Sequence, residues 1–306
     1  MGTLAILMGV CGGEAYLPGQ LESILRQTMT DWDLWVSDDS VGEEARVLLA
    51  GLGDRLGRRL HYRQGLRRGV VSNFLGLACC PSISAEFYAF SDQDDIWDSD
   101  RLQKALDRLG RVPPSVPALY CSRTRLVDDE GRLIGVSPLF AKRPSFSNAL
   151  VQSIAGGNTM VFNQAARALL VAAGDEVEVV IHDWWLYLLV TGAEGVVIYD
   201  EVPSLSYRQH EKNLIGGVRS FSGWLRRMFA AFGRSNFRDW VGRNLEALER
   251  KPALLTDRSR ADLECFVASR RRWLPGRLVG FLKVGIYRQT VLGNIGLLVA
   301  AVLGKI

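Results

Sequence analysis

Three carboxylates stand within four positions at the end of a strand-forming segment. Phe87–Phe90 is apolar and aromatic, and Asp92, Asp94 and Asp95 follow almost at once. Because like charges held this close repel one another, a folded chain is expected to place a counter-charge among them. Mg²⁺ and Mn²⁺ prefer oxygen ligands and commonly bind through one or two carboxylates together with substrate phosphates. The segment therefore predicts a metal–phosphate site.

A simpler interpretation is an acidic loop that caps the next helix. That helix is predicted from about Ser99 to Leu109, with Asp98 or Ser99 as its N-cap. The acidic segment alone does not decide between the two interpretations, and the elements around it must be considered.

Short apolar runs alternate with segments of helical spacing along the first two hundred residues. The predicted strands are Leu4–Val10, Trp32–Val36, Leu60–Arg63, Phe87–Phe90, Ala118–Cys121, Arg125–Val127 and Val196–Tyr199, and the first helices are Tyr16–Gln27, Glu43–Leu52 and Ser72–Cys80. Such alternation predicts an α/β protein with a mostly parallel sheet covered by helices.

Three of these predicted strands end in residues suited to binding a ligand. Gly12–Gly13, Asp38–Asp39 and Asp92–Asp95 each follow a strand. In open α/β sheets ligands bind beyond the carboxyl ends of the strands. Asp38 and Asp39 alone would be read as a helix cap. Together with the Asp92–Asp95 cluster, Asp38 and Asp39 favour a nucleotide diphosphate that is bound through a metal. The sequence has neither the glycine fingerprint of dinucleotide-binding proteins nor a P-loop, which disfavours those two classes.

A general base is predicted at the start of a later helix. His182–Asp183–Trp184–Trp185 precedes an apolar helical segment. Asp183 is the candidate base, with a plain helix N-cap as the alternative. His182 is expected to be structural. At least one of Trp184 and Trp185 is expected to be a core residue, and the alternative for the other is to stack on a sugar ring.

Polar residues elsewhere are candidates for phosphate binding. Arg68 and Asn73 flank the start of the third helix, where the alternative is a solvated basic turn. Arg208 and His210 bring cationic or metal-binding groups to a segment that would fold back over a diphosphate, with a polar loop as the alternative.

The charge of the chain is unevenly distributed. Its 306 residues carry a formal charge of +4, but residues 219–306 hold 17 Lys and Arg against 6 Asp and Glu, so the preceding residues have a net negative charge. The five cysteines show no metal-ligand spacing, which predicts reduced thiols and a cytoplasmic protein. We expect neither a signal peptide nor a spanning helix.

The basic C-terminal region is expected to meet an anionic surface. Trp224–Phe229 and Arg270–Leu274 interleave basic and aromatic residues, and Val291–Leu303 is nearly all apolar. These segments suit either the interface of a membrane, on its inner face, or a helical subdomain that oligomerises. We do not expect nucleic acid as a partner, because no recognisable binding module accompanies the charge.

In their order along the chain, five motifs resemble glycosyltransferase family 2, in particular its rhamnosyltransferase-like branch. The resemblance runs from about Leu4 to Gly216 and rests on Gly12–Leu17 with Glu22–Thr28, Ser37–Ser40, Ser91–Trp97, His182–Trp185, and Tyr207–His210 with Asn213. Two departures are visible. The usual Asp–Asp–Gly–Ser turn lacks its glycine, because Ser40 follows Asp39 directly, and His182 stands where an acid is common.

The resemblance implies a GT-A fold over residues 1–216, followed by a helical basic region over 217–306. It implies an inverting transferase that uses a nucleotide-diphosphate sugar and Mg²⁺ or Mn²⁺. Asp39 would be the main contact to base and ribose, with Asp38 as an additional one. Asp92 and Asp94 would be the acids of the DxD motif, with Asp94 the more direct metal ligand. Asp183 would be the base, and Arg208 and His210 would complete the diphosphate and metal pocket.

We therefore expect an enzyme of cell-surface glycan synthesis that transfers a sugar, rhamnose from dTDP-rhamnose being favoured, onto a lipid-linked or polysaccharide acceptor. Two alternatives belong to other classes. One is a non-catalytic nucleotide-sugar-binding protein docked on a membrane, and the other is a Mg²⁺-dependent nucleotidyltransferase. The candidate base argues against the first. The second is disfavoured because no basic residue accompanies Gly12–Gly13 before Arg26.

Overall fold

A computed structural model describes residues 3–51, 53–209 and 236–306. Its larger sheet has seven strands in the order β10-β6-β9-β4-β1-β2-β3. In chain order these are β1 (Leu4–Val10), β2 (Trp32–Asp38), β3 (Leu60–Gln64), β4 (Phe87–Ser91), β6 (Ala118–Ser122), β9 (Val161–Asn163) and β10 (Val196–Asp200). All pairings are parallel except the two that β9 makes. The predicted mostly parallel sheet is confirmed.

Helices cover both faces of this sheet. They are α1 (Leu17–Leu25), α2 (Glu44–Gly51), α3 (Gly53–Leu56), α4 (Val70–Ala78), α5 (Arg101–Leu109), α6 (Phe146–Ala149), α7 (Gln164–Ala173) and α8 (His182–Gly192). The predicted cap of α5 is wrong. The helix begins at Arg101 after Asp100, whose side chain forms no cap hydrogen bond, and Asp98 instead pairs with Arg125.

A second sheet was not predicted from the sequence. It contains four strands in the order β5-β11-β7-β8, namely β5 (Ile96–Trp97), β7 (Arg125–Val127), β8 (Leu133–Val136) and β11 (Leu205–Arg208). A hairpin turn joins β7 to β8, and Gly131 takes φ +81° there, a conformation that glycine adopts without strain. Because β5 directly follows Asp95, this sheet lies beside the acidic segment.

Two hydrophobic clusters hold the layers together. One lies under α1, α2 and α5, and includes Leu21, Trp32 and Leu102. The other is centred on α8, in which every residue is buried. Burial on all sides explains why α8 is apolar around its whole circumference instead of amphipathic.

The C-terminal helices extend the second cluster. They are α9 (Asn236–Glu249), α10 (Asp257–Arg270), α11 (Leu274–Val284) and α12 (Val291–Val302). Phe237, Leu263, Phe281 and Leu297 belong to the same continuous core as Trp185 of α8. These helices therefore share a core with the sheet. The predicted boundary at residues 216 and 217 lies outside the described residues.

Candidate active site

A cavity of about 940 Å³ opens at the carboxyl ends of β1, β2 and β4. Its lining includes the glycine turn after β1, Asp39 after β2, and Asp92 and Asp94 after β4. The start of α8 supplies Asp183 on another side, and strands of the second sheet supply Leu126 and Tyr207. The topology thus brings together polar residues that are far apart in the sequence, at the edge where ligands bind in this class of sheet.

The glycine turn is bridged to the acidic segment by Gln93. The Cys11 N–H donates to Gln93 Oε1 at 2.9 Å, and Gln93 Nε2 donates to the Cys11 carbonyl at 3.2 Å. A Cβ at Gly13 would stand 2.0 Å from Gln93 Nε2, so glycine is needed for this close approach. Gly12 takes φ +59°, and its N–H donates to Ser40 Oγ at 3.0 Å.

Asp38 and Asp39 have different surroundings. The Asp38 carboxylate is buried and accepts hydrogen bonds from the Ser40 N–H at 2.9 Å and the Tyr62 hydroxyl at 3.0 Å. The Asp39 carboxylate borders the cavity and accepts from the Arg67 N–H at 3.0 Å. Asp39 is therefore the member of the pair that a ligand in the cavity can reach, while Asp38 holds the surrounding loops.

The acidic segment contributes two carboxylates to the cavity. Asp92 and Asp94 both line it. Burial, followed by the nearby charges of Asp94 and Asp183, raises the pKa of Asp92 to about 8. Such repulsion is what a bound cation would relieve.

Asp95 lies behind the cavity in a buried polar network. Asn158 Nδ2 donates to Asp95 Oδ2 at 2.6 Å, and Arg101 Nη2 donates to the Asn158 carbonyl at 2.6 Å. The Arg101 guanidinium also lies over the Trp97 ring, 3.8 Å from its centroid. Burial lowers the pKa of Arg101 to about 10 and raises that of Asp95 well above its usual range. This network fixes the turn that carries Gly157 and Asn158.

Asp183 is buried at the first turn of α8. Its Oδ2 accepts a hydrogen bond from the Gly157 N–H at 2.8 Å, and its Oδ1 is buried without a hydrogen-bond partner. Burial raises the pKa of Asp183 to about 7, although the Gly157 and Trp184 N–H groups act in the opposite direction. A carboxyl group with such a pKa can exchange a proton near neutral pH.

His182 is held among aromatic rings. Its ring is stacked on Phe74, with centroids 4.1 Å apart, and meets Phe90 edge-on at 4.7 Å. Both ring nitrogens are buried without hydrogen-bond partners, and burial lowers the pKa of His182 to about 3. The imidazole is therefore neutral and packs as an aromatic residue.

Four other predicted site residues differ in whether they reach the cavity. Trp184 and Trp185 are buried in the core, where Trp184 Nε1 donates to the Ala149 carbonyl at 2.6 Å. Asn73 lines the cavity and donates through Nδ2 to the Ser37 carbonyl at 3.0 Å. Arg68 is exposed, and its Nη1 lies 3.7 Å from Glu176 Oε1. Of these four, the structure brings only Asn73 to the cavity wall.

Arg208 connects the second sheet to the acidic segment. Its Nε donates to the Asp94 carbonyl at 3.4 Å and its Nη1 to the Asp129 carbonyl at 2.5 Å. The guanidinium stands 5.2 Å from the centroid of the Tyr16 ring. Arg208 thus holds one side of the cavity together. His210 lies outside the described residues.

A ready-made metal site would need several ligands in place. Within residues 3–51, 53–209 and 236–306, no three His, Cys, Asp or Glu side chains are grouped closely enough to hold a metal ion. The oxygen-only donors Asp92 and Asp94 still fit a hard cation that takes its remaining ligands from a bound diphosphate.

Sequence reasoning did not assign Gln93, Asn158 or Tyr16 to the site. Gln93 stands inside the acidic motif, and Gly156–Thr159 has the small residues that permit close approach, so both signals were present in the sequence. Tyr16 lines the cavity and its hydroxyl donates to Asp129 Oδ1 at 3.2 Å. That pairing spans 113 residues, and no local pattern indicates it.

The sheet order and the acidic edge define a GT-A glycosyltransferase. The chain belongs to glycosyltransferase family 2, because a family model described as Glycosyl transferase family 2 matches residues 5–170, more than half of the sequence. It is 25% identical over 240 residues to the dTDP-rhamnosyl transferase RfbG of Shigella flexneri, covering 72% of this chain and 78% of that protein.

Solved structures agree on the fold. The chain resembles S. aureus TarS 1–349 in complex with UDP-GlcNAc, with a TM-score of 0.53 and 14% identity over 93% of both chains. It also resembles the mannosyltransferase PcManGT from Pyrobaculum calidifontis in complex with GDP-Man and Mn²⁺, with a TM-score of 0.51 and 14% identity over 99% of this chain and 86% of that one. The predicted GT-A fold and glycosyltransferase class are confirmed.

Among residues 3–51, 53–209 and 236–306, no helix is both long enough and apolar enough to cross a bilayer.

Proposed function

We propose that this glycosyltransferase transfers a sugar from a nucleotide diphosphate to an acceptor hydroxyl with inversion, and that the donor is dTDP-rhamnose. The observation that carries the reaction is the position of Asp183, a buried carboxylate that faces the same cavity as the Asp92–Asp94 acids. The donor assignment is supported by the similarity to a dTDP-rhamnosyl transferase.

The donor is proposed to lie along the carboxyl ends of the strands. Asp39 accepts from a base or ribose hydroxyl at one end, since its carboxylate borders the cavity and is fixed by the Arg67 N–H. The glycine turn, held by Gln93, allows the nucleotide to approach the backbone. Asp38 supports this wall through Tyr62 and Ser40.

The diphosphate is proposed to lie over the acidic segment. Asp94, with Asp92, would hold Mg²⁺ or Mn²⁺, and His210 is proposed as a further ligand. When bound, the ion supplies positive charge to the leaving diphosphate. Arg208 positions this wall through the Asp94 and Asp129 carbonyls.

Asp183 is proposed as the general base. The acceptor oxygen forms a bond to the anomeric carbon while the bond from that carbon to the diphosphate breaks, and the diphosphate leaves with the electron pair. Asp183 takes the hydroxyl proton, which its pKa of about 7 allows at neutral pH. The Gly157 N–H fixes Oδ2 and so holds the Asp183 carboxyl group at the cavity wall. A single displacement inverts the anomeric centre without an enzyme nucleophile.

The acceptor is proposed to be a lipid-linked saccharide or a growing polysaccharide on the cytoplasmic side of the membrane. A second relative supports a lipid-linked acceptor. The chain is 28% identical over 108 residues to UDP-Glc:alpha-D-GlcNAc-diphosphoundecaprenol beta-1,3-glucosyltransferase WfgD of Escherichia coli. The matched segment covers 35% of this chain and 40% of that protein.

Calorimetric titration with dTDP, UDP and GDP, each with Mn²⁺ or with EDTA, tests the proposal. We expect dTDP to bind in the presence of Mn²⁺ and to lose most of its affinity in EDTA. The same comparison on Asp94→Asn should show little effect of EDTA. Preference for UDP or GDP would contradict the donor assignment, and equal affinity with and without metal would contradict the metal assignment.

A further inference from the structure

Helix α12 presents an apolar face to solvent. Val291, Ile295, Leu298 and Val302 follow one another at spacings of four, three and four residues, which places them on one side of the helix, and all four are exposed. Val291 is 77% exposed. The opposite side, formed by Gly293, Leu297, Ala300 and Ala301, is buried against the protein.

This face has no charged residue within it. From Val291 to Leu303 the sequence contains no Asp, Glu, Lys or Arg. A surface helix with one buried side normally turns polar residues outward. Exposed apolar patches of this kind mark interaction sites in folded proteins. The face is therefore expected to be covered by a partner.

The preceding helix α11 has exposed apolar residues as well. Leu282 is 82% exposed and Val279 is 64% exposed, and Trp273 stands exposed just before the helix begins. The two helices are in contact, because Arg277 of α11 donates through Nη1 to the Ala301 carbonyl at 2.5 Å. The apolar surface thus involves a packed pair of helices. Trp is the residue type enriched where a protein meets a membrane interface.

The charge around these helices identifies the chemistry of the partner. Residues 271–306 contain six Lys and Arg and no Asp or Glu. Arg271, Arg272, Lys283 and Lys305 are exposed. A second copy of this chain would bring another set of positive charges against the first. An anionic lipid surface instead offers both hydrocarbon for the apolar side chains and negative charge for the basic ones.

We propose that the exposed apolar face of α12, with the exposed apolar residues of α11 and the basic residues around them, rests on an anionic bilayer surface. The helices lie in the interface and do not span it, since α12 has only 12 residues.

The link from this face to the cavity runs through one loop. Gln289, just before α12, accepts at Oε1 from the Lys142 N–H at 3.1 Å and donates through Nε2 to the Lys142 carbonyl at 3.1 Å. Ser137 and Pro138, earlier in that loop, line the cavity. A bilayer against α12 is therefore connected to the cavity wall by a short, hydrogen-bonded path. This consequence for a lipid-linked acceptor rests on the proposed function, whereas the membrane contact itself does not.

Vesicle sedimentation of the full chain tests the proposal. The probes are vesicles of phosphatidylcholine alone and of phosphatidylcholine mixed with phosphatidylglycerol. We expect binding to the anionic vesicles, weakened by added salt, and much weaker binding to the neutral ones. The Ile295→Glu/Leu298→Glu variant should bind anionic vesicles at least about tenfold more weakly, because it places two carboxylates in the proposed contact.

A matched control carries the same change of charge elsewhere. Val47 and Val171 are exposed valines on α2 and α7, so Val47→Glu/Val171→Glu adds the same two carboxylates away from the face. The control should bind more tightly than the Ile295→Glu/Leu298→Glu variant. Equal binding by the two variants, or no binding of anionic vesicles by the unmodified protein, would overturn the proposal.

Two further measurements on the same samples separate the remaining explanations. Analytical ultracentrifugation that finds a dimer in the unmodified protein and a monomer in the Ile295→Glu/Leu298→Glu variant would assign the face to a second copy and overturn the membrane proposal. Calorimetric binding of dTDP reports on the proposed function separately. Vesicle binding without dTDP binding would contradict only the proposed donor, and dTDP binding without vesicle binding would contradict only the membrane contact.

Discussion

Asp183 Oδ2 and the backbone N–H of Gly157 are joined by a hydrogen bond of 2.8 Å between two segments that are 26 residues apart. This contact leaves Oδ1 as the oxygen without a partner. The contact also makes the position of Asp183 depend on the turn at Gly157 and Asn158, which hydrogen bonds from Asn158 to Asp95 and from Arg101 to Asn158 hold in place. The reactivity of Asp183 therefore depends on Asp95 and Arg101, which do not line the cavity.

The Asp183→Asn variant is expected to bind dTDP with Mn²⁺ as the unmodified protein does and to lose transfer by about 10²-fold or more, because an amide cannot accept the hydroxyl proton. Calorimetry and transfer of labelled sugar from dTDP-rhamnose to a membrane lipid extract measure the two effects. Asp175→Asn, on the exposed surface, is the control. Retained transfer in Asp183→Asn would place the base elsewhere.

Transfer by the unmodified protein should depend on pH through Asp183. Its pKa of about 7 means that the carboxylate, which is the form that accepts a proton, predominates only above that pH. At saturating donor we expect the rate to fall about tenfold for each pH unit below 6, where most of the group is protonated. A rate that stays constant between pH 5 and pH 8 would contradict this assignment.

A methyl group at position 157 is expected to disturb the base. The Cβ of Gly157→Ala would lie 2.5 Å from His182 Nε2 and 3.3 Å from Asp183 Cβ. We expect a loss of about 1–3 kcal/mol in the free energy of unfolding and a large fall in transfer rate. Gly19→Ala, at a helical position with open space around it, should be neutral or stabilising. Equal effects of the two changes on transfer would show that the Gly157 contact does not position Asp183.

The contact between Gly13 and Gln93 can be tested as a pair. Gly13→Ala forces the Gln93 amide away and breaks its hydrogen bonds to Cys11, so dTDP affinity should fall. Gln93→Ala should also weaken binding. In the double variant the two losses should not add, because the second change removes the atoms that the first one displaces. Additive losses would mean that the two residues act independently.

His182 is expected to make stability depend on pH. Its pKa is about 3 in the folded protein and near 6.5 in the unfolded chain, so between these values the unfolded chain binds the extra proton. Stability is therefore greatest above pH 6.5 and falls as the pH is lowered, by about 2 kcal/mol between pH 7 and pH 5. Urea unfolding of His182→Asn should lose this component, whereas His61→Gln, which alters a half-exposed histidine, should keep it. An unchanged pH slope in His182→Asn would contradict this origin.

Much of the fold was predictable because its signals are local. The strand from Leu4 to Val10 is apolar throughout, as a strand covered on both faces must be, and its predicted bounds agree with the structure. The three strand ends met at one edge because parallel strands place their carboxyl ends together. The second sheet escaped prediction, since Ile96–Trp97 is only two residues long and its pairing with Leu205 and Ser206 spans over a hundred residues.

The sequence indicated which residues belong to the site, but it did not indicate the contacts that hold them in place. The resemblance favoured Asp39 over Asp38 as the contact to base and ribose, but it did not indicate what Asp38 does. Both side chains are buried, and only Asp39 lines the cavity, whereas Asp38 accepts hydrogen bonds from Ser40 and Tyr62. The bonds that fix the cavity, such as Gln93 to Cys11, join segments about eighty residues apart. Such contacts depend on packing, which periodicity does not encode.

Helix α8 is buried along its whole length, against β6 and β10 of the sheet and helices α4, α6 and α7. Segments of this kind exchange their backbone amide hydrogens only when the whole molecule unfolds. The candidate base stands at the first turn of that helix and moves only as far as the helix does. The position of Asp183 should therefore be lost only when this core unfolds, so its geometry should persist up to the melting temperature of the core.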